Sequence, residues 1–313
     1  MTDAATGSAD RPGTEQGVRR FGRFNWLGLR TLAEREVRRF LGVWTQTLLA
    51  PLVTAGLFLL IFTLAVGTRR GEVMGVSFLH FLAPGILMMT VIQNSFANVS
   101  SSIVISKVQG NIVDTLMPPL SASELVAGYL AGGIARGIVV AVAIAVVLFP
   151  FIGLGVQNPL MALVWVTLGG AFLGSLAIVA GVFANKFDQI AAITNFIVTP
   201  LSFLSGTFYS LDTLPPFMQA LSHANPVFYL IDGLRHSVLG VSDSSPALGL
   251  LIVSGSTLAV AAVAWWMFRT GYRLKALPAG RGARAPRARP AAPPPRRSAP
   301  RRSSPPRRAA RRR

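Results

Sequence analysis

Long apolar segments recur along this chain, and they limit what it can fold into more than any other feature. A helix of about 20 apolar residues, rising 1.5 Å per residue, crosses the hydrocarbon core of a bilayer. Six such segments lie at about 46–67, 79–102, 126–150, 160–183, 189–210 and 247–268. Only 13% of the residues are charged, about half the share in soluble domains. The sequence therefore predicts an all-α polytopic membrane protein with six transmembrane helices.

The distribution of basic residues predicts which side of the membrane each terminus occupies. All twelve acidic residues lie before position 269, together with fourteen basic ones, whereas the last 45 residues contain sixteen basic residues and no acid. Eight arginines precede the first predicted span. Basic residues near spans favour the cytoplasmic side, so six spans with two basic ends predict that both termini are cytoplasmic. The connection between spans five and six then faces outside.

The residues just before the first span are predicted to form an amphipathic helix. Over 26–44, apolar residues recur at steps of three or four, with charged residues on the opposite face. The predicted apolar face consists of Leu29, Leu32, Ala33, Val37, Phe40, Leu41 and Trp44, and the charged face of Arg30, Glu34, Arg35, Arg38 and Arg39. Such a helix either lies on the lipids of an anionic inner leaflet or packs against a partner.

The two ends of the chain lack the apolar residues of its body. Residues 1–25 are polar and are predicted to be disordered, with no pattern of a cleaved signal peptide. Residues 45–268 form the predicted six-span domain. Residues 269–313, rich in Arg, Pro and Ala, are predicted to be a disordered basic cytoplasmic tail. The tail fixes topology, binds acidic lipids or binds nucleic acid, and the lack of aromatic residues after Tyr272 argues against nucleic acid.

No residue pattern supplies an energy source for transport. The sequence contains no phosphate-binding loop of the form G-x-x-x-x-G-K-[ST], no nucleophile elbow and no cysteine. The interiors of the six predicted spans contain no acidic residue, although carriers coupled to protons or sodium usually keep carboxylates there. We therefore expect the membrane part of a transporter that is powered elsewhere and holds no cofactor itself. The alternative is a self-powered carrier or a channel.

Two of the predicted spans carry a polar face. In the second and the fifth, polar residues recur at i, i+4 and i+7, which places them on one side of a helix. The two sets are Asn94, Asn98 and Ser101, and Asn195, Thr199 and Ser202. In a bilayer such faces turn toward the interior of the helix bundle. They line a translocation path, or they form hydrogen bonds that hold the helices together.

The connection between spans two and three has a distinctive order of elements. The stretch GNIVDTLMPP at 110–119 predicts a short helix that two prolines end. Ser121 and Glu124 then match the S-x-x-E pattern of a capping box, which begins a helix continuing into span three. A short helix held away from the membrane offers a grip for a soluble partner, and an ordinary capped loop is the alternative.

The connection between spans five and six, LDTLPPFMQALSHANPVFYLIDGLR at 211–235, is apolar yet broken by prolines. The Pro–Pro pair predicts the start of one short helix, and the Asn–Pro step predicts a break before a second. Asp232 is placed to reach Arg235 or His236 one turn later. Each helix is too short to cross a bilayer, so we expect an outer helical hairpin. The residues that mark it are Pro215, Pro216, Asn225, Pro226, Asp232 and Arg235.

Three segments of the chain resemble the membrane subunits of ABC type-2 exporters, which pair with a separate ATPase. FLAPGILMMTVIQNSF at 81–96 resembles the second span of that family, and PLSFLSGTFYSLDTLPPFMQALSHANPVFYLIDGLR at 200–235 resembles its signature before the last span. GNIVDTLMPPLSASELVAGY at 110–129 resembles its coupling segment, with Asp114 where Glu is more usual. The residues that match the coupling pattern are Gly110, Asp114, Pro118, Ser121 and Glu124.

The resemblance, which covers about 25–270, implies a function as well as a fold. It implies a multi-pass permease in a bacterial inner membrane, with an interfacial helix before span one and both termini inside. A homodimer of permeases would work over two ATPase subunits, which would hold ATP and Mg. Motion of the coupling segments would open a path for export, and the outer hairpin would cap its exit. The uncharged polar faces are compatible with drug, lipid and glycan substrates.

Overall fold

A computed structural model describes residues 24–67, 71–116 and 118–272, and these form helices with one small hairpin of strands. The helices are α1 Trp26–Leu41, α2 Ala50–Phe62, α3 Phe78–Val108, α4 Ile112–Leu116, α5 Ala122–Phe151, α6 Pro159–Phe183, α7 Phe187–Ile193, α8 Thr199–Phe203, α9 Pro216–His223, α10 Pro226–Leu239 and α11 Pro246–Thr270. Strands β1 Glu72–Val73 and β2 Val76–Ser77 pair antiparallel. Nearly all of the two predicted disordered ends, 1–25 and 269–313, lies outside the described residues.

Five helical stretches among the described residues are long and apolar enough to cross a membrane. They are Thr45–Ala65, Phe78–Val108, Ala122–Phe151, Pro159–Phe183 and Pro246–Thr270. The first combines α2 with π-helical turns at its two ends, Thr45–Leu49 and Thr63–Gly67. These stretches correspond to predicted spans one to four and six. The prediction of an all-α polytopic membrane protein is confirmed.

The predicted fifth span, 189–210, is shorter in the structure. Its helix runs through α7, a π-helical turn at Thr194–Val198 and α8, and it ends at Phe203. Pro200 has no N–H to bond one turn back, which fits the widened turn just before it. Gly206, with a φ of +75°, then turns the chain away. The helix is roughly 25 Å long, below the usual ~30 Å of hydrocarbon, so the count of six spans stays a prediction.

α3 lies at the centre of the bundle, and the other spans pack around it. In its most apolar stretch 72% of the residues are buried, compared with 17% in the first span. α5, α6 and α10 all pack against α3. The outward faces of the peripheral helices are apolar, as at Leu60, Val146 and Leu251, because such faces meet lipid rather than water. Polar residues of α3 are therefore enclosed by protein.

A glycine permits the close packing of α10 on α6. Trp165 of α6 is fully buried, and a Cβ atom added at Gly233 of α10 would lie 2.2 Å from its indole ring. No real contact is that short, so the two helices keep this spacing only while position 233 lacks a side chain. The short helix α10 is thus fixed to a membrane-spanning helix through one tryptophan.

We predict that Gly233→Ala destabilises the protein whereas Gly255→Ala does not. Alanine favours a helix over glycine by up to about 1 kcal/mol, and Gly255 has open space around it, so Gly255→Ala should be neutral or stabilising. At position 233 the new methyl group would push Trp165 out of place, and overpacking costs about 1–3 kcal/mol. Thermal unfolding of the purified variants, followed by circular dichroism, measures both effects. Equal unfolding midpoints would contradict this packing.

Candidate functional site

The predicted coupling segment, residues 110–124, folds into a short helix and a capping box. α4 occupies Ile112–Leu116, and Gly110 turns the chain before it with a φ of +77°, a conformation that favours glycine. Met117 lies outside the described residues. Ser121 Oγ accepts a hydrogen bond from the Glu124 backbone N–H at 3.3 Å, and the Glu124 carboxylate accepts one from the Ser121 N–H at 2.6 Å. The predicted capping box is therefore confirmed.

α1 packs along the first half of α5 rather than standing alone on a surface. A Cβ atom added at Gly128 would lie 2.5 Å from Leu32 Cδ2, and one added at Gly132 would lie 2.5 Å from Glu36 Cβ. Two glycines one turn apart therefore form a seat for α1 on α5. From the sequence we expected contact with lipid or with a partner, and the packing on α5 of the same chain is an arrangement that this expectation did not foresee. Contact of α1 with lipid stays a prediction.

The buried face of α1 differs from the predicted apolar face. Its buried residues are Leu32, Glu36 and Phe40, which follow one another at i, i+4 and i+8. Leu41 and Trp44, assigned to the apolar face, are exposed, and α1 ends at Leu41 rather than at residue 44. The prediction was wrong for Trp44 because the chain turns at residues 42–43, so the helical spacing does not continue to it. It was wrong for Leu41 because this residue lies about 100° around the helix from the buried Phe40.

Glu36 holds a buried polar network between α1 and α3. Its side chain is 1% exposed and accepts hydrogen bonds from Ser102 of α3 at 2.8 Å, from Arg35 at 3.1 Å and from Arg39 at 3.1 Å. A buried carboxylate is tolerated when cations and donors surround it in this way. Sequence reasoning missed Glu36 as a functional residue, although its spacing from Leu32 places it on the inner face.

Arg39 extends this network along the polar face of α3. Its Nη2 donates to the Asn98 backbone oxygen at 2.7 Å and to Asn98 Oδ1 at 2.9 Å, and its Nη1 donates to Ser101 Oγ at 3.4 Å. The third residue of this face, Asn94, accepts a hydrogen bond from Arg136 of α5 at 3.0 Å. These contacts match the alternative of hydrogen bonds between helices. A role for the face in translocation stays a prediction.

The second predicted polar face is divided by the π-helical turn. Asn195 is exposed, Thr199 is half-buried, and Ser202 is buried with its hydroxyl donating to the Val198 oxygen at 2.7 Å. The widened turn alters the helical spacing between the first residue and the other two. Within the described ranges, no hydrogen bond joins this set to the polar face of α3. Its role in a translocation path likewise stays a prediction.

Three contacts join the coupling segment to α1. The Asn25 backbone N–H donates to Glu124 Oε1 at 2.5 Å, and Asn25 Nδ2 donates to the Pro119 oxygen at 3.4 Å. Arg35 Nη1 donates to Thr115 Oγ1 of α4 at 3.0 Å. A cleft of about 360 Å³ lies between the two elements, and its lining residues include Asp114 and Pro118. Both of these predicted coupling residues are exposed.

Lys107 ties the end of α3 to the end of α6. It is fully buried, and its Nζ donates to the Val182 and Ala184 oxygens, each at 2.7 Å. These carbonyls lie at the C-terminus of α6, where a positive charge is favoured by the helix dipole. The contact fixes α3 just before the coupling segment. The sequence gives no local signal for it, because the partner is 75 residues away.

Two short helices, α9 and α10, occupy the place of the predicted hairpin, and we call them together the outer hairpin. Pro215 and Pro216 begin α9 as predicted. The Asn225 side chain accepts from the Val227 N–H at 3.0 Å and caps α10, whose first residue is Pro226. The Pro–Pro and Asn–Pro steps therefore correctly predicted where the two short helices begin. The side of the membrane on which the hairpin lies stays a prediction.

Arg235 fastens the outer hairpin to the spanning bundle. Its fully buried guanidinium lies 3.9 Å from the ring centroid of Phe81 in α3, and it donates to the Gly206 oxygen at 2.7 Å. It lies 4.0 Å from Asp232, as predicted, and 3.6 Å from Asp243. Burial lowers the pKa of Arg235 to about 10, although the two carboxylates oppose this shift.

Asp232 has closer partners than Arg235. Its carboxylate accepts hydrogen bonds from the backbone N–H groups of Asp243 at 2.7 Å and Ser244 at 2.9 Å. Burial raises the pKa of the Asp232 carboxyl, while these hydrogen bonds act in the opposite direction. The carboxylate thus holds the loop between α10 and α11. From the sequence we considered only partners one helical turn from Asp232, and therefore did not predict these partners in the loop.

We predict that Glu36→Ala loosens α1 whereas Glu34→Ala does not. Each glutamate contacts two arginines, but Glu36 is buried and Glu34 lies on the exposed side of α1. Breaking a buried ion pair costs about 3–5 kcal/mol, whereas exposed pairs contribute little. Thermal unfolding and the rate of trypsin cleavage within α1 measure the difference. The same unfolding midpoint and cleavage rate in both variants would contradict the buried network.

The sequence of this chain is similar to known membrane permeases. Residues 28–239 match the ABC-2 type transporter family, a range that begins in α1 and ends with α10. The inner membrane transport permease YadH of Escherichia coli strain K12 is 36% identical over 252 residues, which cover 80% of this chain and 98% of that protein. Nodulation protein J of Rhizobium meliloti strain 1021 is 24% identical over 260 residues, covering 82% and 95% respectively. The chain therefore belongs to the ABC-2 type transporter family, in which it is a membrane permease.

Proposed function

We propose that this protein is the membrane-spanning subunit of an ATP-driven exporter in a bacterial inner membrane. A separate ATPase subunit hydrolyses the ATP, since the sequence contains no phosphate-binding loop of its own. Membership of the ABC-2 type transporter family supports the need for such a partner. The name of the Escherichia coli relative, an inner membrane transport permease, supports the location. Both termini lie in the cytoplasm, as the basic residues predict.

The coupling segment is where the ATPase docks. Its exposed residues Asp114 and Pro118 lie on a cleft whose other wall is formed by α1 residues such as Thr31. A carboxylate at the rim of such a cleft is suited to a basic group on a soluble partner. The observation that carries the proposal is that this exposed segment is bonded directly to α1, which in turn is bonded to the central helix α3.

Motion of the coupling segment reaches the membrane interior through α1. Thr115 of α4 binds Arg35, which also binds Glu36. Glu36 binds Ser102 of α3, and the glycine seat on α5 keeps α1 from sliding. A displacement of α4 by the ATPase therefore moves α1, α3 and α5 together.

The outer hairpin closes the exit of the path. Arg235 holds α10 against α3 and against the loop that follows α8. Release of this contact frees the hairpin from the spanning helices while Asp232 continues to hold the loop before α11. Export toward the outside follows from opening at this end, which the predicted topology places away from the cytoplasm.

A second copy of the chain completes the transporter. The first span has only 17% of its most apolar stretch buried, and on the fifth helix Phe196 is 81% exposed next to the exposed polar residue Asn195. An exposed polar side chain among apolar ones is more costly against lipid than against a partner helix. This arrangement supports a homodimer in which the fifth helices contribute to the path.

We predict that Asp114→Ala weakens binding of the cognate ATPase, whereas Asp188→Ala does not. Asp188 is an exposed acid at the start of α7, on the other connection predicted to be cytoplasmic, and it serves as a matched control. Loss of one hydrogen bond to a charged group, worth about 1.5 kcal/mol, lowers affinity about tenfold. Titration of the ATPase onto the permease in nanodiscs, with ATP hydrolysis as a second readout, measures this. Wild-type affinity and hydrolysis with Asp114→Ala would overturn the docking site.

A further inference from the structure

Arg136 is a cation inside a membrane-spanning helix, and no acidic partner binds it in the part of the chain that the structure describes. It lies at the midpoint of the 30-residue helix α5 and is half-buried. Its Nη2 donates to Asn94 Oδ1 at 3.0 Å, and its buried Nε has no hydrogen-bond partner among the described residues. A charge at this depth is costly, and such residues usually mark function.

A second buried donor lies one helical turn away. Asn98 is fully buried, and its Oδ1 accepts from Arg39, but its Nδ2 is unpartnered within the described ranges. This Nδ2 lies 3.5 Å from where a Cβ atom of Gly132 would be. Asn94 and Asn98 are four residues apart on α3, as Gly132 and Arg136 are on α5. The two donors without a partner therefore lie about one helical turn apart, where α1, α3 and α5 meet. We call this region the junction.

Positive charge is in excess at this junction. Arg35 and Arg39 share the carboxylate of Glu36, and Arg39 is close enough to repel Arg136 electrostatically. Two guanidinium groups thus share one carboxylate, and the third, that of Arg136, has no acidic partner among the described residues. Both unpartnered atoms are donors, so a group that only accepts hydrogen bonds and carries negative charge would satisfy them and relieve the repulsion.

The surface of α5 beyond Arg136 is apolar. On the side of the helix that carries Arg136, Ala143 is half-buried and Val147 is 38% exposed, about two and three helical turns further along. A molecule with an anionic end at Arg136 would therefore have an apolar surface on which to lay a hydrocarbon chain. The positive charge of the arginines and the apolar surface of α5 together favour an amphiphile over a free inorganic anion.

We propose that this junction binds the phosphate or carboxylate head group of an anionic amphiphile through Arg136 and Asn98. The inference rests on the proposed transport function, because the bound molecule is either the exported substrate or an anionic lipid held against the permease. Arg136 donates from its free Nε, and Asn98 donates from Nδ2. The single hydrogen bond from Arg136 to Asn94 orients the guanidinium in the junction.

Binding of radiolabelled dodecyl phosphate to the permease alone, in nanodiscs of neutral phosphatidylcholine, tests this site. Wild-type protein should bind it, and uncharged dodecyl maltoside, with the same chain, should not compete. Arg136→Gln should weaken binding about tenfold or more, because it removes a charged donor, and Arg136→Lys should retain part of the affinity. Arg269→Gln, which changes an exposed arginine near the end of α11, is the matched control and should bind like the wild type.

A second variant keeps the test decisive if Arg136→Gln does not fold. Asn94→Asp places a carboxylate on Arg136 and should block dodecyl phosphate while stabilising the helix pair. Nanodiscs containing phosphatidylglycerol distinguish an anionic membrane lipid from an exported substrate as the bound molecule. If phosphatidylglycerol competes with dodecyl phosphate, the site holds a lipid, and if binding of dodecyl phosphate is unaltered, the site holds the substrate. Absent binding to the wild type, or wild-type affinity in folded Arg136→Gln or Asn94→Asp, overturns the proposal. Because no ATPase is present, either result leaves ATP-driven export to be judged separately.

Discussion

A buried carboxylate between two helices is the interaction on which the position of α1, next to the coupling segment, depends. Glu36 of α1 accepts hydrogen bonds from Ser102 of α3 and from two arginines of its own helix. Within a membrane protein such a charge is tolerated only where its partners are fixed, so the pairing determines where α1 lies. The glycines of α5 match this position, since Gly128 and Gly132 leave space for Leu32 and Glu36. An amphipathic helix thereby becomes part of the packed bundle.

Polar networks occupy both ends of the bundle, and apolar packing around α3 separates them. At one end Glu36 joins α1 and α3 close to the coupling segment. At the other end Arg235 joins the outer hairpin to Phe81 and Gly206. Hydrogen bonds to buried charges require good geometry, so such networks adopt discrete arrangements more readily than apolar surfaces do. This division fits a permease in which an ATPase acts at one end and a path opens at the other. Arg136 adds a charged position between the two ends.

Local patterns in the sequence predicted the elements well, and tertiary contacts account for what they missed. Apolar runs located five spanning helices, and the S-x-x-E pattern located the capping box of Ser121 and Glu124. The fifth helix ends earlier than its apolar run because Pro200 and Gly206 alter the path of the backbone. A prediction from hydropathy considers only how apolar the side chains are, so it did not find this end. Glu36 was missed as a functional residue because a charged residue on an amphipathic helix is usually exposed. Its partner on α3 is 66 residues away, and no local rule connects them.

A disulfide between α1 and α5 tests the central claim, that α1 moves with the spanning helices as one unit. A Cβ atom at Gly128 would lie 3.2 Å from Leu32 Cβ, so a shift of a few tenths of an ångström brings the pair to the separation in a disulfide, about 3.5–4.5 Å. The natural chain has no cysteine to interfere. In the double variant Leu32→Cys, Gly128→Cys, assembled with its ATPase in vesicles, oxidation should join the two helices and leave the rate of ATP-driven transport unchanged. A rate that falls on oxidation and recovers with reductant would show that α1 must move relative to α5, which would contradict the account.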